Sequence, residues 1–107
     1  MPIDDSVLYE RRARICQVLA DAKRLRLIDA LRDGERSVGD LADGLGATYP
    51  NVSQHLNVMR DAGLVVSRRD GTSVFYHLAY PQITQACDIV RDILRAQLTD
   101  AATLAGS

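Results

Sequence analysis

The sequence has 107 residues, enough for one domain, and its hydrophobic fraction of 47% is typical of a folded protein without a membrane-spanning run. The formal net charge of −1 excludes a generally basic surface, so nucleic-acid binding would depend on a local cluster of cations. Two cysteines without a C-x-x-C motif argue against a disulfide scaffold or a zinc finger, and an N-terminus without an apolar core favours a cytoplasmic protein.

Two amphipathic helices are predicted in the first third of the chain. The first spans residues 5–20 and can be capped by an acid or hydroxyl at residues 4–6. Its apolar side is formed by Val7, Leu8, Ile15, Val18 and Leu19. Asp21 is the N-cap of the second helix, which spans about residues 22–32 and ends at Gly34. Its predicted buried face is formed by Leu25, Leu27, Ile28 and Leu31.

A short third helix follows, because Ser37 begins a capping box in which Asp40 takes the place of the usual Glu. The helix is predicted over residues 38–43. Gly44 and Gly46 then end it, since both tolerate the left-handed backbone angles of a tight turn between helices.

A longer helix is predicted over residues 49–62, with Thr48 as its N-cap and Pro50 in its first turn. Its apolar residues recur at i, i+4 and i+7 and face the core; they are Val52, Leu56 and Met59. Gly63 marks its C-terminal end. The other faces carry amides, hydroxyls and one arginine, and this composition suits a DNA major groove. Residues 37–63 are therefore predicted to form a helix-turn-helix.

A two-stranded hairpin, the predicted wing, spans residues 64–78. Its strands cover residues 64–69 and 73–78, and Asp70-Gly71 between them is a strong hairpin turn signal. One face of the returning strand is expected to be buried, and it is formed by Val74, Tyr76 and Leu78.

The last helix is predicted over residues 81–98, since Pro81 suits the first turn of a helix. Its apolar stripe has helical spacing and consists of Ile83, Ala86, Cys87, Val90, Ile93, Leu94 and Leu98. The other elements already cover most of the core of one subunit. We therefore expect this apolar stripe to pack, together with the first helix, against a second copy of the chain. Residues 99–107 are rich in small side chains and are predicted to be frayed.

Four motifs carry a resemblance to a known family: VLADAKRLRL at residues 18–27, SVGDL at 37–41, NVSQHL at 51–56, and GLV with RRDG at 63–65 and 68–71. Over residues 7–97 the chain resembles the ArsR/SmtB family of bacterial winged-helix repressors. The resemblance implies a mainly α (α+β) winged helix-turn-helix, with four helices, a two-stranded hairpin and a fifth helix in that order. It also implies a homodimer, joined through its terminal helices, that represses an operator and releases it on sensing a metal ion or a redox signal. We expect residues 1–107 to form this single domain.

The predicted partner is a double-stranded DNA operator. Asn and Gln can make paired hydrogen bonds to adenine, and Ser or Thr can bond several base edges or phosphates. The residues expected to contact bases or nearby phosphates are Thr48, Tyr49, Asn51, Ser53, Gln54 and Asn57. His55, in the S-x-H-L pattern of the family, is expected to be a structural or phosphate-contacting residue. The residues expected on the DNA backbone or in the minor groove are Arg60, Arg68, Arg69, Thr72 and Ser73.

The metal sites of the family are not intact in this sequence. Where the family has a pattern like C-V-C-D-L, residues 37–41 read SVGDL, so both thiols are absent. Where the family has D-x-H on the last helix, Asp88 remains but Val90 replaces the histidine. Because zinc and similar ions need several nitrogen or sulfur ligands, we predict no metal site and no other cofactor.

Cys16 and Cys87 are the candidate effector residues. They lie on the first and last predicted helices, and a disulfide between them would require a suitable Cα separation within one subunit or across two. Some members of the family use a two-thiol switch, so the resemblance implies a response to oxidants or reactive sulfur. Two alternatives stay open: the thiolates bind a soft metal or metalloid ion, or both cysteines are inert hydrophobic residues.

Two other classes of function are the alternatives to a DNA-binding repressor. A winged helix can serve only as a protein-interaction module, because a fold does not determine its function. An enzyme is not predicted, because the sequence has no Ser/His/Asp set, phosphate loop or recognisable pair of catalytic carboxylates.

Overall fold

The order of helices and strands was obtained from a computed structural model, which describes residue 2 and residues 4–105. Over these residues the elements are α1 (Asp5–Leu19), α2 (Ala22–Ala30), β1 (Arg36–Ser37), α3 (Val38–Leu45), α4 (Tyr49–Asp61), β2 (Val65–Asp70), β3 (Ser73–Leu78) and α5 (Ile83–Ala105). Within the described ranges, none of the helices combines the length and apolar content needed to cross a membrane.

Four of the helices begin at residues whose side chains cap them. The capping residues of α1 to α4 are Asp4, Asp21, Ser37 and Thr48. Ser37 Oγ accepts from the backbone N–H of Asp40 at 3.1 Å, and Thr48 Oγ1 accepts from that of Asn51 at 3.3 Å. Each bond satisfies an N–H that lacks a partner within its own helix. The predicted starts of these four helices are confirmed, because the capping signals are local.

The turn between α3 and α4 differs from the prediction at one glycine. Gly44 lies within α3 instead of ending it, and the helix continues to Leu45, which packs against the core. Gly46 ends the helix with φ 63° and ψ 32°, a left-handed conformation that only glycine adopts at low cost. The packing of Leu45 on the core explains why the helix extends through Gly44.

The sheet has three antiparallel strands, in the order β1-β3-β2, one strand more than the predicted two-stranded wing. β2 and β3 form the expected hairpin, from the Val65–Leu78 pair to the Asp70–Ser73 pair. The strand that was not predicted from the sequence is β1, whose two residues pair with Tyr76 and Phe75 of β3. The prediction was wrong here because two residues are too few to show strand periodicity.

The hydrophobic core lies between α2, α3, α4 and the sheet. Its fully buried side chains are Leu27, Ile28, Leu31, Val38, Leu41, Val52, Leu56 and Met59. Tyr76 and Leu78 of β3 close the core from the sheet side. Leu25 was predicted to be buried but is 40% exposed. At about 100° per residue, Leu25 lies roughly 110° around α2 from the middle of the buried face.

The last helix begins later and ends later than predicted. Its first turn is preceded by a turn in which the N–H of Ile83 donates to the carbonyl of Tyr80, so α5 starts at Ile83 and not at residue 81. The helix then runs to Ala105, and the prediction that residues 99–107 are frayed is wrong as far as Ala105. Residues 106–107 lie outside the described residues. The helix therefore extends well past the end of the core.

Candidate nucleic-acid interface

The face of α4 opposite the core is exposed and carries polar side chains. Its exposed residues are Tyr49, Pro50, Gln54, Asn57, Arg60 and Asp61, with Ser53 half-buried at their edge. Asp61, in the last position of the helix, is the only acid of α4. A helix presenting amides and one cation over three turns has the composition needed to contact base edges and phosphates.

One flank of α4 contacts the beginning of α2. Lys23 Nζ donates to Asn51 Oδ1 at 2.9 Å. Four residues further along α4, His55 Nδ1 lies 3.4 Å from Arg24 Nη1 and 3.9 Å from Asp21 Oδ1. Both predicted DNA-contacting residues of this flank, Asn51 and His55, therefore contact α2. For His55 this contact is compatible with the structural role, one of the two roles expected from the sequence.

The opposite flank of α4 contacts the sheet through one side-chain hydrogen bond. Tyr76 Oη, at the buried end of β3, lies 3.4 Å from Asn57 Oδ1. This distance is long for a hydrogen bond, so the contact orients the Asn57 amide only weakly. The geometry leaves the amide N–H groups of Asn57 on the exposed face of α4.

Arg68, one of the two predicted wing cations, is exposed but pairs with an acid of the same chain. Its guanidinium donates to both carboxylate oxygens of Glu35, at 2.6 and 3.2 Å, and lies 4.7 Å from the centre of the Phe75 ring. The hydrogen bonds from Arg68 lower the pKa of Glu35. Glu35 was not predicted, because the 33 positions between it and Arg68 leave no local sequence signal. The bidentate pair neutralises much of the charge that Arg68 was expected to offer DNA.

The tip of the hairpin keeps the other predicted residues accessible. Arg69, Thr72 and Ser73 are exposed, and the turn between the strands contains Gly71 with φ 61°. Among the described residues, Arg68 forms ion pairs with Glu35 and Asp70, whereas no ion pair involves Arg69. Arg69 is therefore the wing cation whose charge is available to an external phosphate.

The two cysteines have different environments, and both are free thiols. Cys16 is exposed on α1, whereas Cys87 is half-buried on α5 and packs against the core. Burial raises the pKa of the Cys87 thiol, and the carboxylates of Asp29 and Asp88 raise it further. Because the thiolate is the reactive form, the raised pKa disfavours reaction at Cys87, whereas Cys16 is accessible from solvent.

Asp88, the acid left from the metal pattern of the family, is paired with an arginine. Arg32 donates to both of its carboxylate oxygens, at 2.9 and 2.8 Å, and also to Asp29 Oδ1 at 2.9 Å. These hydrogen bonds lower the pKa of Asp88 and connect the end of α2 to α5. Across residue 2 and residues 4–105, no group of three or more His, Cys, Asp or Glu side chains is arranged to hold a metal ion.

The arrangement of α3, α4 and the β2–β3 hairpin defines a winged helix-turn-helix. A family model described as "Bacterial regulatory protein, arsR family" matches residues 21–67. The chain is 35% identical over 99 residues to the uncharacterized HTH-type transcriptional regulator Rv0081 of Mycobacterium tuberculosis, covering 92% of this chain and 87% of that protein. The chain therefore belongs to the arsR family of bacterial transcriptional regulators, as the sequence motifs predicted.

Solved structures agree with this assignment. The crystal structure of Rv0081 superposes with a TM-score of 0.77 at 36% identity, covering 89% of this chain and 96% of that one. The homodimeric winged helix-turn-helix DNA-binding domain of Mb0332 from Mycobacterium bovis gives 0.79 at 28% identity, covering 92% and 91%. The transcriptional repressor BigR from Xylella fastidiosa gives 0.70 at 31% identity, covering 85% and 96%. The predicted fold class is confirmed, except that the sheet has a third strand, β1, that was not predicted.

Proposed function

We propose that this protein is a homodimeric repressor whose two α4 helices enter successive major grooves of an operator and leave it when a chemical signal is sensed. A dimer of this class holds its recognition helices about one DNA turn, roughly 34 Å, apart. The observation that carries the proposal is the exposed face of α4. This face presents Gln54 and Asn57, and the helix contains no acid before Asp61. The same proposal requires a cytoplasmic protein, because the operator is in the bacterial chromosome.

The exposed apolar residues of α1 and α5 support the homodimer. Val7 and Leu8 of α1 are 43% and 50% exposed, and Val90 and Leu98 of α5 are 66% and 62% exposed. Ile93, between them on α5, is 54% exposed. Large apolar patches on a soluble protein mark interaction surfaces, and a two-fold contact lets each copy cover the other. The structural relative Mb0332 is described as homodimeric.

Oligomeric state provides the test of this interface. Ile93→Asp places a charge in the uncovered stripe, and Arg95→Ala is the matched control, since Arg95 lies about 200° around the helix from Ile93. Light scattering should give a dimer for the wild type and R95A and a monomer for I93D. The monomer should also lose operator affinity, because its two recognition helices are no longer linked. A wild type that is monomeric at micromolar concentration would contradict the dimer.

For the signal, we propose oxidation at Cys16 and Cys87, the thiols of the two helices assigned to the dimer interface. Formation of a disulfide would join the two sulfurs and release two protons and two electrons to an oxidant such as a peroxide or persulfide. The exposure of Cys16 supports it as the first thiol to react. A bond that shifts α5 relative to α1 would change the spacing of the two α4 helices.

Fluorescence anisotropy on DNA from upstream of the protein's own gene tests the repressor and its signal together. Reduced protein should bind tightly, and treatment with a persulfide donor or peroxide should release the DNA. Cys16→Ser and Cys87→Ser variants should remain bound after treatment. Release that persists in both variants would refute these two thiols as the sensor. A wild type that stays bound after treatment would direct the search for the signal to metal ions. Absence of salt-dependent binding to any duplex would favour the protein-interaction module.

A further inference from the structure

Lys23 is the only lysine of the sequence, and it lies beside the recognition helix. It is in the first turn of α2, its side chain is exposed, and its ammonium donates to Asn51 Oδ1 across 28 positions of the chain. The sequence alone indicates no role for Lys23, since neither helical periodicity nor a short motif connects it with α4.

A second contact between α2 and α4 lies one helical turn further along α4. Arg24, the next residue of α2, donates through Nε to the carbonyl of Val18, and its Nη1 lies 3.4 Å from His55 Nδ1. Two successive residues of α2 therefore contact two residues of α4 that are four positions apart. This double contact fixes the beginning of α2 against the flank of α4, and the partly buried Arg24 keeps Lys23 in register with Asn51.

The hydrogen-bond chemistry of this pair differs from that of a free asparagine. Paired recognition of adenine uses the amide oxygen as an acceptor and the amide nitrogen as a donor. Here one lone pair of the Asn51 oxygen accepts from the Lys23 ammonium, which orients the amide towards α2. The donors left for an external ligand are the amide N–H groups and the remaining ammonium N–H groups. Together they form a cluster of donors with one positive charge, which fits an anionic acceptor.

The position of Lys23 and Asn51 favours contact with a phosphate over contact with a base. Asn51 precedes Gln54 by three positions, which places it about 60° around α4, on the flank and not at the centre of the exposed face. The flank of a helix in the major groove faces the sugar-phosphate wall, where contacts position the protein without reading sequence. Lys23 on α2 contacts α4 on this same flank.

We propose that Lys23 and Asn51 act together as a clamp on one DNA phosphate, and that Asn51 does not read adenine. The proposal rests on the proposed function, because it needs α4 to lie in a major groove. It predicts that both residues contribute to affinity for any duplex and little to the choice of sequence. In a homodimer the clamp would be formed twice.

The salt dependence of DNA binding tests the clamp. The dissociation constant is measured by anisotropy, from about 50 to 200 mM salt, on the upstream duplex and on a shuffled duplex of equal length. Removing one phosphate contact lowers the log–log salt slope by about 0.9, so Lys23→Gln should lower it by about 1.8 per dimer. Over this fourfold range the affinity of the wild type should fall about twelvefold more than that of K23Q. Lys23→Arg should restore the slope, and Asn51→Ala should weaken binding equally on both duplexes.

A footprint on the unsubstituted protein gives an independent measurement. Acylation with an N-hydroxysuccinimide ester modifies Lys23 and the α-amino group, which serves as the internal reference. DNA should slow acylation of Lys23 relative to the α-amino group. An unchanged salt slope in K23Q, weaker binding of N51A to the upstream duplex alone, or unprotected Lys23 would each overturn the clamp while leaving the repressor intact. A wild type without salt-dependent binding to either duplex would refute the proposed function and the clamp with it.

Discussion

Replacing Gln54 by alanine removes the side chain that is best placed to read a base. Gln54 is exposed near the centre of the outward face of α4. Side-chain hydrogen bonds to the protein are present for Asn51 and Asn57, but none is found for Gln54 within residues 4–105. The substitution therefore leaves the core and the contacts of α4 unchanged, and its whole effect should fall on DNA binding.

The size of the effect follows from one base contact in each subunit. A paired hydrogen bond to a base is worth about 1–3 kcal/mol, so a dimer loses about 2–6 kcal/mol on its operator. Since about 1.4 kcal/mol is a factor of ten, affinity should fall at least about 30-fold. On a shuffled duplex the decrease should be small, because non-specific binding depends on phosphate contacts.

Competition anisotropy with both duplexes, at one fixed salt concentration, measures the two affinities for wild type and Q54A. Thermal unfolding at a fixed protein concentration is the control, and the two proteins should unfold at the same temperature. Equal decreases on the operator and on the shuffled duplex would refute the base-reading role of Gln54. So would an unchanged operator affinity.

Three further predictions concern the wing, the thiols and the contact between α2 and α5. Arg69→Ala should lower the salt slope by about 1.8 per dimer, and Arg68→Ala by less, because Glu35 already neutralises its guanidinium. Iodoacetamide at neutral pH should alkylate Cys16 before Cys87, whose pKa is raised by burial, as followed by mass spectrometry. Asp88→Asn should lower the urea midpoint at neutral pH, and the difference from wild type should narrow as the pH falls below about 4.

The sign of the last prediction follows from the lowered pKa of Asp88. Its ordinary value is 3.8, and the hydrogen bonds from Arg32 hold it lower in the folded protein. The stabilisation by the Arg32–Asp88 pair is therefore complete above pH 3.8 and is lost as the pH falls through the lowered pKa of the folded protein. A difference between the urea midpoints of wild type and D88N that widened in acid would contradict this prediction. Equal slopes for both arginine variants, or faster alkylation of Cys87 than of Cys16, would contradict the other two.

Signals between neighbouring residues predicted most of the fold. Thr48 caps α4 three residues before the N–H that it bonds, and Gly71 supplies the positive φ of the hairpin turn next to the residues that it connects. The period of Val52, Leu56 and Met59 fixed which side of α4 faces the core. Such information is contained in a few consecutive residues, so the sequence alone was enough.

Contacts between residues far apart in the sequence could not be predicted from local sequence patterns. Arg36 and Ser37 form a strand only because the edge of β3 is beside them. The partners of Arg68 and Asn51 lie 33 and 28 positions away in the chain. These contacts decide which of the predicted DNA-binding side chains have partners within the protein, and no local pattern in the sequence signals them.

The contacts at the two ends of α2 have a thermodynamic consequence. This nine-residue helix, about 13 Å long, meets α4 through Lys23 at one end, and Arg32 joins α5 just beyond the other. Coupling between two equilibria is reciprocal, so if disulfide formation weakens operator binding by some factor, operator binding must disfavour the disulfide by the same factor. Operator-bound molecules would then need more strongly oxidising conditions than free ones to form the disulfide.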